Sequence, residues 1–239
     1  MRRLALTRPK TLVHAVADRL HLAIINAELK LGEALSEDGL ATAFGVSRTP
    51  VREALSLLQL QGLIEIAPQR GSYVFKPTVA DIERQCEYRI VLETSVAPLA
   101  AERAHAETLA VMEQRMARNE ESFRTKDGLG YLSSDNSLHH ALFEHCGNAY
   151  FQNAYALISS KTAALRTNLA VDDYSDLEMS LGEHRLMVQY FRASDMRALV
   201  SLLTTHINRS GKNFIEAFKR GIHAPQPSPR QTYPFSLPE

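Results

Sequence analysis

The sequence predicts a mainly α chain in two blocks: an N-terminal winged helix-turn-helix with a short β-hairpin wing, followed by an all-α six-helix bundle. Three observations carry that expectation. Apolar residues recur at helical spacing through most of the 239 residues. One segment, residues 62–75, alternates instead in the two-residue rhythm of paired strands. Breaks rich in Gly, Asn, Asp and Ser divide the remainder into helix-length pieces. A head of about 75 residues leaves about 150 for a second domain, enough for a core of its own. The boundaries fall at residues 1–76 for the head, 77–222 for the bundle and 223–239 for a Pro-rich tail.

The first helix of the head runs through Thr11 to Leu29, with Leu12, Ala15, Val16, Leu20, Ala23, Ile24 and Ala27 at helical spacing. A short amphipathic helix follows at Leu40–Phe44, and Gly45 suits the tight turn after it. The third helix opens at Ser47-Arg-Thr-Pro50. Ser47 or Thr49 can cap it, Pro50 fits its first turn, and Val51, Ala54, Leu55 and Leu58 then share a buried face. Arg48, Thr49 and Arg52 are left outward at its N-terminal end. Two guanidinium groups and a hydroxyl there suit entry into a DNA major groove, where arginine pairs bidentately with guanine and a hydroxyl meets phosphate. The two strands expected within Gly62–Phe75 turn at Pro-Gln-Arg-Gly, with Arg70 and Gly71 at the tip, in the place of a wing.

The run VSRTPVREALSLLQLQGLI followed by QRGSYV resembles the winged-helix signature of GntR-family transcriptional regulators, over roughly residues 10–76. The resemblance implies that Arg48, Thr49 and Arg52 from the recognition helix, and Gly71 from the wing, contact operator DNA. One departure is visible. Where many members carry a basic residue before the second helix, this chain reads Ser36-Glu-Asp38-Gly-Leu40, so Asp38 is not assigned a DNA contact.

Formal net charge is zero but unevenly divided: residues 1–76 hold 10 Lys and Arg against 7 Asp and Glu, and residues 77–239 hold 17 against 20. The excess favours DNA contact by the head, though it is too small to be diagnostic. Arg2, Arg3, Arg8 and Lys10 read as a solvated arm. No apolar run approaches the about 20 residues that span a bilayer, and the first residues given lack the apolar core of a signal peptide. A cytoplasmic protein without membrane contact is expected. Cys86 and Cys146 lack metal-type spacing and are expected as free thiols.

Helices of the bundle are expected at residues 79–104, 106–125, 128–146, 149–171, 176–193 and 195–219, with Pro98 kinking the first after about Thr94. Polar residues set into these helices form a second constellation. Asp135 and His139 lie four apart, one turn from each other on one face. His184 sits on a later helix, and His206 lies on the last, beside Leu199, Leu202, Leu203 and Ile207. One carboxylate and three imidazoles could bind a borderline divalent ion such as Zn, Ni, Mn or Fe, a matter composition alone does not decide.

Residues 80–219 resemble the FCD ligand-binding domain of the FadR subgroup of GntR regulators, through Tyr88-Arg89-Ile-Val-Leu-Glu93, Asp135-Asn-Ser-Leu-His139, Glu183-His184-Arg185 and Asp195-Met-Arg-Ala198 leading to His206. Six helices make the chain more similar to the VanR branch than to FadR itself. The resemblance implies that Asp135, His139, His184 and His206 hold a divalent metal, zinc being the first choice. It also implies that a small organic acid takes the remaining positions, with Arg89 holding its far end. Arg89 could equally pair with Glu93, four residues on; Arg166, on the helix between the second and third metal-bearing segments, is a weaker candidate for holding the acid, and for it the ion-pair reading wins. The function expected is a metabolite-responsive regulator, acting as a homodimer on a palindromic operator and repressing until its effector binds. The alternative is a metal-dependent enzyme of small carboxylic acids carrying a DNA-binding head; it lacks an evident general base, since Glu183 is rotated about 100° from His184.

Overall fold

The computed structural model describes residues 11–169, 174–221 and Tyr233. They divide into two compact units, one holding residues 11–76 with Tyr233 and the other starting at Pro77. The basic arm, the Val171–Asp176 break up to residue 173 and nearly all of the Pro-rich tail lie outside the described residues.

In the first unit, α1 (Leu12–Ile25) is capped by Thr11, whose hydroxyl accepts from the His14 amide. It packs on α3 (Arg48–Leu60), burying Val16, Leu20, Ala23 and Ile24 against the unit that also buries Val51, Ala54, Leu55 and Leu58. Between them, α2 (Glu37–Phe44) starts at Ser36, which accepts from the Gly39 amide, and places Glu37 and Asp38 in its first turn, where negative charge suits the helix dipole. It ends at Gly45, whose left-handed φ of 64° lets the chain reverse into α3. Ser47 is the N-cap of α3 but makes no side-chain capping bond.

The wing consists of β2 (Ile64–Ala67) and β3 (Gly71–Val74), antiparallel, with Ala67 opposite Gly71. Gly71 therefore closes the turn and Gln69 and Arg70 occupy its tip, a one-step correction to the expected placement. Its φ of +106° is strained for any other residue. A further strand, β1 (Ala34–Leu35), pairs with β3 to give the order β1-β3-β2. Two residues are too few to show alternation, so nothing local announced it. Tyr233 also joins this unit: its hydroxyl accepts a 2.9 Å hydrogen bond from the Ser36 amide, and burial pushes its pKa up to about 12.

Helices are the only regular elements among the described residues of the second unit. A reciprocal capping box between Thr78 and Asp81 opens α4 (Val79–Arg124). Its backbone departs from helical geometry at Ala104 (φ −155°, ψ 56°), so the two helices expected on either side of residue 105 meet at that kink. Around Pro98 the backbone keeps helical φ/ψ, so the helix is not interrupted there. Val96, Ala97 and Ala100 are completely buried around Pro98, and that packing carries the helix through it. The bundle is completed by α5 (Gly128–Glu144), α6 (Ala149–Leu169), α7 (Tyr174–Arg192) and α8 (Met196–Gly221). Helix α4 touches the other four, and the core between them includes Met112, Tyr131, Leu138, Phe143, Phe191, Leu199 and Leu203. Cys86 and Cys146 are buried and free. Gly211 of α8 lies so close to Cys86 that a Cβ there would sit 2.6 Å from the thiol sulfur.

Candidate metal centre and nucleic-acid interface

Helix α5 presents Asp135 and His139 inward, one turn apart, while α7 contributes His184 and α8 His206; all four are buried. A potential ligand nitrogen from each of the three imidazoles lies within 4.8 Å of the others. Asp135 joins them: its Oδ1 is 3.7 Å from His139 Nε2 and its Oδ2 3.7 Å from His184 Nε2. The tertiary structure thus gathers all four residues expected to act as ligands.

The outward-facing ring nitrogens are each engaged. His139 Nδ1 donates to Glu93 Oε2 at 2.6 Å, His184 Nδ1 to Asn119 Oδ1 at 3.1 Å, and His206 Nδ1 to Glu183 Oε2 at 2.6 Å. These acceptors assign the proton to Nδ1, which leaves the lone pair on Nε2. Among the described residues, no hydrogen-bond partner meets any of the three buried Nε2 atoms. Three inward nitrogen lone pairs beside a carboxylate fit a borderline divalent ion, and partners that fix tautomer and ring orientation are what such ligands need.

The supports are themselves held. Asn119 Nδ2 donates to the Tyr131 carbonyl and to Ser134 Oγ, which turns its oxygen toward His184. Glu183 also accepts from Arg209, which reaches Asp176 as well. Burial raises the Glu183 carboxyl, but His206 and Arg209 outweigh it and hold its pKa at about 2. Burial lowers His206 to about 4 against a partial opposing effect of Glu183, and drives His184 well below its ordinary value. Burial raises the Asp135 carboxyl, but the Arg166 guanidinium beside it outweighs that and keeps it ionised. Both inward imidazoles with resolved shifts are thus in the neutral form that binds metal.

Two arginines border this centre. Arg89 donates through Nε to Glu93 Oε1 at 2.9 Å, so the intrachain ion pair foreseen as one of its two roles is present, completely buried and linked through Glu93 to His139. Arg166 places Nη1 2.5 Å from Asp135 Oδ1, an intrachain ion pair of the kind expected for it, here made to a candidate metal ligand. Sequence reasoning missed Glu93, Asn119 and Glu183 as supports. For Glu183 the rotation from His184 is real, but it aims the carboxylate at His206 on the neighbouring helix. The sequence singles out Glu93 only as a partner of Arg89, and no sequence signal points to Asn119.

In the head, Arg48, Thr49 and Arg52 are exposed, as a reading surface requires. Each arginine faces an acid of α2: Arg48 Nε lies 2.9 Å from Asp38 Oδ1, and Arg52 Nη2 lies 3.0 Å from Glu37 Oε2. Asp38, the departure from the family pattern, therefore touches the recognition helix directly.

Comparison with known proteins bears on both units. Residues 12–74 match the model for bacterial regulatory proteins of the gntR family, and residues 85–209 match that for the FCD domain. The chain belongs to the GntR family. The FCD match encloses Arg89, Asp135, His139, Arg166, His184 and His206. Over 186 residues the chain is 30% identical to the transcriptional repressor RspR of Escherichia coli K12, covering 77% of this chain and 80% of that protein. It is 26% identical over 192 residues to the gluconate operon transcriptional repressor of Bacillus licheniformis, covering 79% of each. The fold is shared with a GntR transcriptional regulator from Rhodococcus sp. RHA1 (TM-score 0.76, 22% identity, 86% of this chain and 98% of that one). It is shared also with E. coli McbR/YncC (TM-score 0.77, 18% identity, 88% and 100%). GntR-family membership makes this chain a DNA-binding transcriptional regulator and sets aside the enzyme alternative.

Proposed function

We propose that this GntR regulator is a metabolite-responsive repressor. Asp135, His139, His184 and His206 hold a divalent metal, zinc first, and a small organic acid bound there changes the affinity of paired heads for a palindromic operator. The observation that carries this reading is the set of three buried Nε2 atoms, each with its Nδ1 anchored and no hydrogen-bond partner among the described residues. Leaving three buried acceptors unpaired would cost several kcal/mol in aggregate, at about 1–3 kcal/mol each, unless something is bound. A divalent ion, when bound, supplies Lewis acidity that attracts a carboxylate. Arg89 and Arg166 add buried positive charge beside it.

The four ligand residues come from α5, α7 and α8, so occupancy ties three helices together, and an acid binding one arrangement of them more tightly shifts the equilibrium toward it. Repression is supported by the names of the relatives, several of which are transcriptional repressors. A homodimer is supported by exposed apolar side chains on α4 (Tyr88, Val91) and α6 (Tyr150, Leu157), two helices that meet through the hydrogen bond from Gln85 to Thr162. Arg48, Thr49 and Arg52 read the operator and Gly71 lets the wing approach it, consistent with their exposure. Cytoplasmic location follows from that target, and no described helix is long and apolar enough to cross a membrane.

The deciding experiment is an operator mobility shift with metal-loaded protein across a panel of carboxylic acids, repeated on the Asp135→Ala/His139→Ala variant after elemental analysis. The proposal requires an acid-dependent change in operator affinity that disappears with the metal. Full metal occupancy in the double variant would remove the site.

A further inference from the structure

The two arginines of the recognition helix are each met by an acid from the first turn of α2, and both acids engage the Nε side of the guanidinium. Asp38 Oδ1 lies 2.9 Å from Arg48 Nε, and Glu37 Oε2 accepts from Arg52 Nε at 3.3 Å and from Nη2 at 3.0 Å. A guanidinium held in this way keeps N–H groups on its Nη1–Nη2 edge. That edge can bond bidentately with guanine O6 and N7.

The two pairs differ in firmness. The Glu37 side chain is 25% exposed and holds Arg52 through two hydrogen bonds. Asp38 and Arg48 are 70% and 59% exposed, and an ion pair in that setting is worth at most about fivefold in an equilibrium. Arg48 is therefore easily drawn away. The Asp38 backbone cannot follow it, because the first turn of α2 is anchored at three points. Ser36 Oγ accepts from the Gly39 amide, the Ser36 amide donates to the Tyr233 hydroxyl, and Thr42 Oγ1 donates to the Asp38 carbonyl.

The consequence depends on what Arg48 meets. DNA of arbitrary sequence attracts its charge to phosphate. If Arg48 goes there, the Asp38 carboxylate is left bare beside charges of its own sign; if Arg48 stays with Asp38, the phosphate contact is lost. Where guanine lies within reach, the Nη1–Nη2 edge takes the base while Nε keeps its acid, and the carboxylate retains its counter-charge. Asp38 thus opposes binding to all DNA and opposes it least where Arg48 reads a base. Specificity is a difference between affinities, so a residue that weakens wrong complexes more than right ones raises it. Resting on the assignment of Arg48 as a base reader, we propose that Asp38 is a specificity-determining residue of the head, which keeps Arg48 for base reading and withholds it from phosphate.

The test starts by selecting a site from a randomised duplex pool with the full-length protein. Fluorescence anisotropy across a salt series then measures binding to that site and to a random duplex of equal length. The variants are Asp38→Asn, Arg48→Ala, their double, and Glu53→Gln, which removes one negative charge from an exposed position of α3. Thermal midpoints confirm that each is folded. Asp38→Asn should tighten both duplexes but the random one more, lowering the selected-to-random ratio by about three- to fivefold. Its salt slope on random DNA should steepen by about 0.9 per head, the equivalent of one further phosphate contact, and by less on the selected site. Glu53→Gln should leave the ratio unchanged, and Asp38→Asn should not alter it once Arg48 is alanine. A ratio unmoved by Asp38→Asn, or moved equally by Glu53→Gln, overturns the proposal. A fall in the ratio that persists in the Arg48→Ala background overturns the route through Arg48. If Arg48→Ala itself leaves the ratio unchanged, the reading role of Arg48 fails and this inference with it. A ratio lowered by Arg48→Ala but not by Asp38→Asn removes only the role given to Asp38.

Discussion

Glu93 is the residue on which the buried electrostatics turn. It is 0% exposed and accepts from Arg89 Nε at 2.9 Å on Oε1, which Arg89 Nη2 also approaches to 2.7 Å as an ion pair, and from His139 Nδ1 at 2.6 Å on Oε2. Burial would raise its carboxyl, but Arg89 and His139 together hold it far below the usual range, so it is ionised at neutral pH. Glu93→Gln keeps the shape and removes the charge, leaving the Arg89 guanidinium buried without its counter-ion. Breaking one side of such a pair costs about 3–5 kcal/mol. His139 would keep only a weaker acceptor at Nδ1, and loss of an anchor of this kind lowers metal affinity about 10- to 100-fold. The two effects separate in the Arg89→Met/Glu93→Gln double variant. Stability should largely return because no buried charge is stranded, whereas zinc affinity should stay low because the His139 anchor is still altered. Urea unfolding in the presence of a chelator measures the first effect, and competition with a fluorescent zinc indicator the second. Stability of Glu93→Gln within about 0.5 kcal/mol of the parent, a shift of the size usual for surface changes, would refute the buried-pair argument. Zinc affinity restored in the double variant would refute the role given to the Glu93–His139 bond.

Stability of the metal-free protein should fall with acidity. His206 is held at about 4 in the folded state against an ordinary value of 6.5, and His184 is shifted in the same direction. Below 6.5 the unfolded chain takes up protons that the folded chain refuses, so each group removes about 1.4 kcal/mol per pH unit down to its folded value. Its contribution is complete above 6.5, and a urea midpoint unchanged between pH 7.5 and pH 5 would contradict it. In the head, Arg52→Ala should weaken operator binding by about 1–3 kcal/mol if it reads a base. Asp38→Asn should strengthen binding to any DNA by removing an acid that engages Arg48; mobility shifts at fixed salt check both, and unchanged affinity in each removes the assignment. Gly211→Ala should destabilise the bundle by about 1–3 kcal/mol through overpacking against Cys86, and Gly211→Ala/Cys86→Ala should recover most of it. A thermal melt in which the single variant matches the parent would show that the helices can part there without cost.

Much of the architecture was legible because its causes are local. The 51-54-55-58 apolar stripe, the left-handed Gly45 between α2 and α3, and the Asp135/His139 pair one turn apart are consequences of helix geometry acting within a few residues. Other features had no local signature. Strand β1 is two residues long and exists because β3 accepts it. Pro98 broke no helix because buried neighbours outweighed its own preference.

For the centre itself, the chain alone nominated Asp135, His139, His184 and His206 and, through the flanking motifs, their family setting. Only the folded molecule decided what holds them. Glu93 lies 46 residues from His139, Asn119 lies 65 from His184, and Glu183 lies 23 from His206. It also brought Arg166 onto Asp135 and Asp38 onto Arg48. The physical reason is that periodicity declares which face of a helix is inward, whereas a hydrogen bond between two helices depends on the azimuth and height at which both pack, and no single stretch of residues encodes that pair of values.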